Sequence, residues 1–313
     1  QAFKEQQNTE VFILFPKGRV SCVQQAQITR SGSNNIHPIA LEGNFDDCQN
    51  LVKNVFADTV FRQSIMVSGV NSINWARICA QIVYYFTAAL SLGAPDRPVV
   101  FSVPTGNFGD IFAGFIAAKM GLPIAKLIIA TNENDILVRA LNNGVYDIEA
   151  VVHTISPSMD IQISSNFERL LFEASGRDAQ LITKSFDQLN MQGKFLIPAS
   201  VLAPIKQIFS AISCSEAQTL ATIKDVFHSS DYILDPHSAI GVYAGRIHKN
   251  CKLPLITLAT AHPAKFSDVV VKACGVAPAI PERLQRMMQE KEKLDILQNE
   301  AEQLKNFIRE RFK

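Results

Sequence analysis

The chain has 313 residues, 47% of them hydrophobic and 19% charged, which places it among globular proteins and excludes disordered ones. Its 30 Lys and Arg against 29 Asp and Glu leave a net charge of +1, which argues against a nucleic-acid surface or a membrane-attracted face. No apolar run reaches the about 18 residues that a spanning helix needs. The cysteines (Cys22, Cys48, Cys79, Cys214, Cys251, Cys274) are scattered without a Cys-x-x-Cys, which predicts reduced thiols in a cytoplasmic compartment. The histidines (His37, His153, His228, His237, His248, His262) show no metal-ligand spacing, so no metal is assigned.

In chain order, Gln1 to Gln7 reads as the tail of a helix and Val11 to Phe15 as a buried strand ended by Pro16-Lys17-Gly18. There is no initiator methionine, signal peptide or transit-like segment, and the chain reads as starting inside a βαβ unit. Ser21 is expected to cap a helix through Ile28. Ile36 to Leu41 is a second strand, Glu42-Gly43-Asn44 a turn, and Phe45 to Phe56 an amphipathic helix. The longest helix runs from Ser72 to Leu92, with Ile73, Ala76, Ile78, Ala80, Ile82, Val83 and Phe86 on its apolar face. A strand over 98–103 and a helix over 110–120 follow. Then come strand Leu127 to Ala130 and helix Asp135 to Leu141, ended by Asn142-Asn143-Gly144. Residues 165–230 read as mostly helical. Ile233-Leu234, Leu255 to Leu258 and a helix over 266–274 restore the alternation, and 281–313 reads as a charged helix of mixed sign with a solvated face. Strands alternating with helices imply an α/β fold with a largely parallel sheet and flanking helices, whose ligands sit beyond the carboxyl ends of the strands.

At one such end lies Val99-Val100-Phe101-Ser102-Val103-Pro104-Thr105-Gly106-Asn107-Phe108-Gly109-Asp110. A buried strand here feeds a glycine turn into a helix N-terminus. Loop amides aimed at one spot, with the positive end of a helix dipole, make an anion site. Gly-Asn-Phe-Gly-Asp is neither the dinucleotide fingerprint nor the P-loop pattern, and an ordinary αβ turn would also explain two glycines. A turn, however, needs one glycine, and this segment sets four small or polar groups around one phenylalanine.

Further polar clusters carry two readings each. Asn71-Ser72-Ile73-Asn74-Trp75-Ala76-Arg77 opens the longest helix. Asn71 or Ser72 is an N-cap, or the pair forms a second anion site with the Arg77 guanidinium. In Thr257 to Phe266, Thr260 caps or turns, and His262 is a packed loop histidine or a base. Asp235-Pro236-His237-Ser238-Ala239 carries the same ambiguity, with Asp235 as a cap of the helix that begins after Pro236. Ser156 to Asp160 and Ser164 to Arg169 are polar punctuation, with Ser165 or Asn166 as N-cap.

Taken together these segments resemble the threonine synthase family in its longer fungal and bacterial form. The matching stretches are Val11 to Ser21, Glu42 to Cys48, Asn71 to Arg77, Val103 to Asp110, Ala130 to Leu137, Pro157 to Asp160, Ser164 to Arg169, Asp235 to Ala239 and Ala261 to Phe266. They run in family order over residues 8 to 275. The resemblance implies a fold type II pyridoxal 5'-phosphate enzyme, similar to the tryptophan synthase β subunit. It implies conversion of O-phospho-L-homoserine and water to L-threonine and phosphate, the last step of threonine biosynthesis, by γ-elimination and β-addition of water. It places the cofactor on Gly106, Asn107, Phe108, Gly109 and Asp110, with Thr260 at the pyridine nitrogen, and the substrate phosphate on Asn71, Ser72 and Arg77. The expected partner is the small-molecule substrate alone, without nucleic acid or membrane, on a monomer or homodimer.

One departure stands out. The family's Schiff-base lysine lies in a Ser/Ala-Phe-Lys-Asp segment near a Ser-Gly-Asp-Thr-Gly loop, both before the strand matched by Val11 to Phe15. Neither segment is in this sequence. Ala2-Phe3-Lys4-Glu5 is superficially similar but sits only a few residues before that strand, so Lys4 reads as a surface lysine. The expectation is an N-terminally truncated chain with no catalytic residue of its own, its lysine lying upstream of Gln1, and inactive by itself. Its layout would be 1–70 as the rest of a smaller domain, 71–280 as the cofactor domain with a mostly helical insert at 140–230, and 281–313 as the charged helix. A phospho-lyase of the same fold and a non-enzymatic fragment that keeps it are the alternatives.

Overall fold

The computed structural model describes residues 3–20, 22–43, 45–72, 74–248 and 252–312. The readings placed on Gln1, Ala2, Ser21, Asn44, Ile73 and Cys251 fall outside them. The chain forms two compact units, one made of the segments up to Ser68 and from Ala279 onward, the other spanning Gly69–Pro278.

The first unit begins with β1 (Val11–Pro16), α1 (Cys22–Thr29), β2 (Ile36–Leu41), α2 (Phe45–Ala57) and α3 (Thr59–Ser64). The described residues before β1 are not helical: Glu5 and Asn8 have φ of 59° each, which a right-handed helix cannot hold. β1 and β2 pair in parallel, Val11 opposite Ile36 through Pro16 opposite Leu41. All six residues of β2 are buried, as expected of an apolar run covered on both faces. α3 escaped the sequence reading because it is short; Asp58 caps it by accepting from the Phe61 amide at 2.9 Å.

The second unit is built on four parallel strands. It runs α4 (Trp75–Leu90), β3 (Val99–Pro104), α5 (Gly109–Lys119), β4 (Ile124–Thr131), α6 (Ile136–Asn143), β5 (Val145–Asp147), α7 (Phe167–Ala174), α8 (Ala179–Gln192), β6 (Lys194–Leu196), α9 (Ala199–Ile208), β7 (Phe209–Ser213), α10 (Glu216–Ser230), α11 (Pro236–Ile247), β8 (Leu255–Thr257) and α12 (Ser267–Cys274). The sheet order is β7-β4-β3-β8, all parallel, and β5 pairs antiparallel with β6. β3 lies between β4 and β8 with every residue buried. Its inner face joins Phe101 and Val103 to Phe108, Ile111, Leu127, Ile129 and Phe209 in the main core. α11 crosses the sheet closely: a Cβ on Gly241 would come 2.8 Å from Thr257 Cγ2, and the Gly241 carbonyl accepts from Ser102 Oγ at 2.6 Å.

The stretch 165–230 is mostly helical, as expected, and also holds the short strands β6 and β7, the second entered from α9 with no turn residue between Ile208 and Phe209. Ile233-Leu234 is not a strand; Leu234 is buried against Ile223 and Ala239 between α10 and α11, so its apolar character serves helix packing.

The chain then returns to the first unit with α13 (Glu282–Gln289), β9 (Asp295–Leu297) and α14 (Ala301–Arg311). The single charged helix over 281–313 is thereby corrected to two helices around a strand. β9 pairs parallel with β2, Ile39 opposite Asp295 to Leu41 opposite Leu297. Leu304 and Ile308, one turn apart, join Ile39, Leu41, Leu51 and Phe61 in the core, and Arg309 lies over the Phe61 ring at 5.3 Å. Buried Lys305 reaches Asp58 at 2.7 Å and Glu302 at 2.5 Å. Dense charge hid this narrow apolar stripe. Replacing Leu304 by Ala should cost about 3 kcal/mol in urea unfolding, whereas exposed Glu310→Ala should stay within about 0.5 kcal/mol. Equal effects would mean that α14 is not part of the core.

Candidate functional site

The bend between β3 and α5 is anchored from several sides. The Thr105 amide donates to the Ala130 carbonyl at 2.8 Å, and Thr105 Oγ1 to the Val103 carbonyl at 2.6 Å. The Gly106 carbonyl accepts from Ser164 Oγ at 2.7 Å. The Asn107 carbonyl accepts from the Asn166 amide at 3.1 Å and from Asn166 Nδ2 at 2.9 Å. Because a peptide plane sets its C=O and N–H in opposite directions, carbonyls drawn toward 164–166 turn the Asn107 and Phe108 amides the other way. Among the described residues, none accepts a hydrogen bond from the amides of Gly106, Asn107, Phe108, Gly109 or Asp110. Five orphan donors at the head of an eleven-residue helix match a multiply charged anion such as a phosphate monoester.

Two residues carry the cost of that shape. Phe108 is the N-cap of α5 with φ 63°, a left-handed conformation that a bulky residue rarely adopts. Its ring is buried against Phe167 and Phe209, at 5.4 and 5.8 Å, and that packing holds the strained backbone. At Gly106 an added Cβ would lie 2.8 Å from the Ser158 carbonyl oxygen, so only glycine fits against the turn Pro157–Met159.

Asp110, the last residue of the bend, accepts from Tyr84 Oη at 2.5 Å and Tyr85 Oη at 3.0 Å. Burial raises its pKa above the usual aspartate value, opposed by the two tyrosine hydrogen bonds and by the Arg77 charge. Burial likewise raises both tyrosines, helped by the Asp110 charge, so they remain donors. The sequence offered Tyr84 and Tyr85 only as part of an apolar helix; nothing in its spacing marks their hydroxyls.

The segment 71–77 falls otherwise than expected. Neither Asn71 nor Ser72 caps α4. The N-cap is Asn74, whose side chain accepts from the Ala76 amide at 2.9 Å, so Asn71 and Ser72 lie in the loop before the helix and Arg77 in its first turn, exposed. The Ser72 carbonyl accepts from Asn166 Nδ2 at 2.9 Å, the same amide group that holds Asn107. One side chain thus joins the two segments expected to bind phosphate. Asn166 does occupy the N-cap position of α7, but its side chain makes no cap bond. Reading it as punctuation missed this bridge.

Thr260 follows β8 and is exposed, its amide donating to Ser238 Oγ at 3.2 Å. His262 is also exposed, and its Nδ1 accepts from the Ala264 amide at 3.2 Å, which is a capping role. Asp235 caps α11 as expected, accepting from the amides of His237 and Ser238. Lys4 is part exposed, 3.8 Å from Glu5. Among the described residues no group of His, Cys, Asp and Glu could hold a metal ion, and no helix is long and apolar enough to cross a membrane.

A parallel α/β unit with an amide-lined bend at the end of its central strand belongs to the class of folds that can seat a phosphorylated small molecule there. The family described as pyridoxal-phosphate dependent enzyme matches residues 6–188, and that described as threonine synthase, C-terminal, matches 238–308. A threonine synthase of Pseudomonas aeruginosa is 49% identical over 303 residues, covering 96% of this chain and 65% of the relative. That of Saccharomyces cerevisiae is 42% identical, covering 97% and 64%. The crystal structure of pyridoxal-phosphate-bound threonine synthase from Brucella melitensis superimposes with a TM-score of 0.93 at 57% identity, covering 99% of this chain and 67% of that one. This chain belongs to the threonine synthase family, and it spans about 65% of the length of the P. aeruginosa relative.

Asp110 gives a measurable signature. Its folded pKa lies above the unfolded value near 3.8, so the folded state holds the proton longer. Its contribution to stability is full below that value and is lost as pH rises through the folded pKa. Asp110→Asn stays neutral throughout. The stability of wild type minus variant, from denaturant unfolding, should therefore fall as pH rises from about 4. A difference that is flat or rises would refute the burial of an ionisable carboxyl here.

Proposed function

We propose that the protein is a threonine synthase, converting O-phospho-L-homoserine and water to L-threonine and inorganic phosphate. The observation that carries this reading is the set of five orphan amides over Gly106–Asp110, tied through Asn166 to the segment bearing Ser72 and Arg77. The reaction needs two phosphate sites side by side, one for the cofactor and one for the substrate. Bound pyridoxal phosphate supplies an electron sink for carbanions next to the substrate's amino group.

The chain's own residues do the following in this reading. Gly106, Asn107, Phe108 and Gly109 donate backbone N–H groups to the cofactor phosphate, with Asp110 closing the loop. Thr260 sets a neutral hydroxyl at the ring nitrogen, which leaves that nitrogen less readily protonated than a carboxylate would. Asn71, Ser72 and Arg77 hold the substrate phosphate, Arg77 as a two-pronged donor. No residue of this chain is assigned covalent attachment of the cofactor. The reaction is proposed for the whole protein, of which relatives are about half as long again. We place it in the cytoplasm as a monomer or homodimer; the five described cysteines are unpaired, in keeping with a reducing compartment.

Arg77→Ala should raise KM for the phosphorylated substrate about 10- to 100-fold, the loss of a charge-assisted contact, while cofactor content stays near that of wild type. Cofactor loss in that variant would mean the two anion sites are exchanged. Gly106→Val should abolish cofactor binding, read by absorbance after gel filtration, because its side chain meets the Ser158 carbonyl. Full cofactor content would refute the loop assignment. Phosphate release from O-phosphohomoserine without threonine would replace the synthase reading by a phospho-lyase.

A further inference from the structure

Asp235 is wholly buried at the N-terminus of α11, with His237 and Ser238 beside it also buried. Capping accounts for only half of its bonds. Oδ1 accepts from the His237 amide at 2.9 Å and meets His237 Nδ1 at 2.9 Å. Oδ2 accepts from the Ser238 amide at 3.3 Å and from Ser238 Oγ. Both side chains then continue outward. His237 Nε2 accepts from the Ser158 amide at 3.3 Å. Ser238 Oγ accepts from the Thr260 amide at 3.2 Å.

The proton positions follow from these partners. An imidazole nitrogen that accepts from a backbone N–H carries no proton, so the His237 proton sits on Nδ1 and is donated to Asp235. An ionised carboxylate only accepts, so the Ser238 hydroxyl donates its proton to Asp235 and a lone pair accepts from Thr260. One carboxylate therefore sets the direction of both relays. Each relay ends on a loop at the candidate site. Ser158 offers its carbonyl to the face of Gly106, where a Cβ would lie 2.8 Å away. Thr260 is the residue assigned to the ring nitrogen.

We propose that Asp235 is a positioning residue that sets the distance between the phosphate end and the ring-nitrogen end of the cofactor site. It does so by holding the Pro157–Met159 turn through His237 and the 258–262 loop through Ser238. This rests on the cofactor-site reading given above. The two arms act separately: His237 governs how tightly the phosphate is held, and Ser238 governs the electronic environment of the ring.

Hydrogen exchange read by mass spectrometry on the whole protein, with and without bound pyridoxal phosphate, tests the relays, and cofactor titration and absorption spectra test their consequence. Asn is itself a good N-cap, so Asp235→Asn keeps α11 but sets its one NH2 group against a donor in one relay while its oxygen still accepts in the other. It should speed exchange in one of 156–160 and 258–262 and weaken cofactor affinity about 10-fold. Ser238→Ala should speed exchange in 258–262 only and shift the cofactor's absorption band with little loss of affinity. His237→Leu should speed exchange in 156–160 only and lower affinity without moving the band. Unchanged exchange in Asp235→Asn, or equal loosening of both loops by Ser238→Ala and His237→Leu, overturns the proposal. If the loops loosen as stated while Gly106→Val still binds cofactor in full, it is the cofactor-site reading that fails, and the role given to Asp235 with it.

Discussion

Five consecutive backbone N–H groups without an acceptor among the described residues are expensive, and the local structure is arranged around them. Left alone, the bend would twist to satisfy its amides within the chain. Three restraints prevent that. The Gly106 and Asn107 carbonyls are drawn to Ser164 and Asn166, the Phe108 ring is packed into the main core, and the Ser158 carbonyl lies where a side chain at 106 would go. The left-handed φ of Phe108 is strain held by aromatic burial. The result is a set of donors fixed before the anion arrives, so binding does not spend free energy on ordering the loop.

The second anion segment is set by the same residues. Asn166 gives one N–H to Asn107 and one to Ser72, so the bend and the loop before α4 share one anchor. On the opposite side, Tyr84 and Tyr85 of α4 hold Asp110 of α5. α4 thus carries Arg77 at its head and, two to three turns later, the clamp on the neighbouring helix. The Arg77 charge also opposes the rise that burial gives the Asp110 pKa, so the heads of the two helices are electrostatically linked.

Much of the scaffold was legible because it rests on strong local patterns. β2, β3 and β4 are apolar runs, the glycine bend follows a buried strand, and Asp235-Pro236 is a strong helix start. What escaped had weak or misleading signals. β7 follows α9 without punctuation. α14 buries Leu304 and Ile308 behind a charged composition. The cap of α4 is Asn74 and not Asn71 or Ser72; all three are competent caps within four positions, and local sequence does not choose among them. The hydroxyls of Tyr84 and Tyr85, and the side chains of Ser164 and Asn166, act across long sequence separations that single-sequence periodicity does not encode.

The two loops proposed to hold the cofactor differ in how firmly the sheet itself holds them. β3 is paired along its length with β4 and also with β8, and the bend leaves from its buried end. β8 contributes three residues, is paired on one side among the described strands, and is only half-buried. A strand of that length sets the position of Leu258 but gives Thr260, three residues past its end, little further support. The Ser238 hydroxyl supplies what the sheet does not, and it can do so because Gly241 lets α11 lie against Pro104 and Thr257 at close range. The small residue in α11 and the buried carboxylate at its head therefore serve one purpose: they carry the rigidity of the central strand across to a loop at the edge.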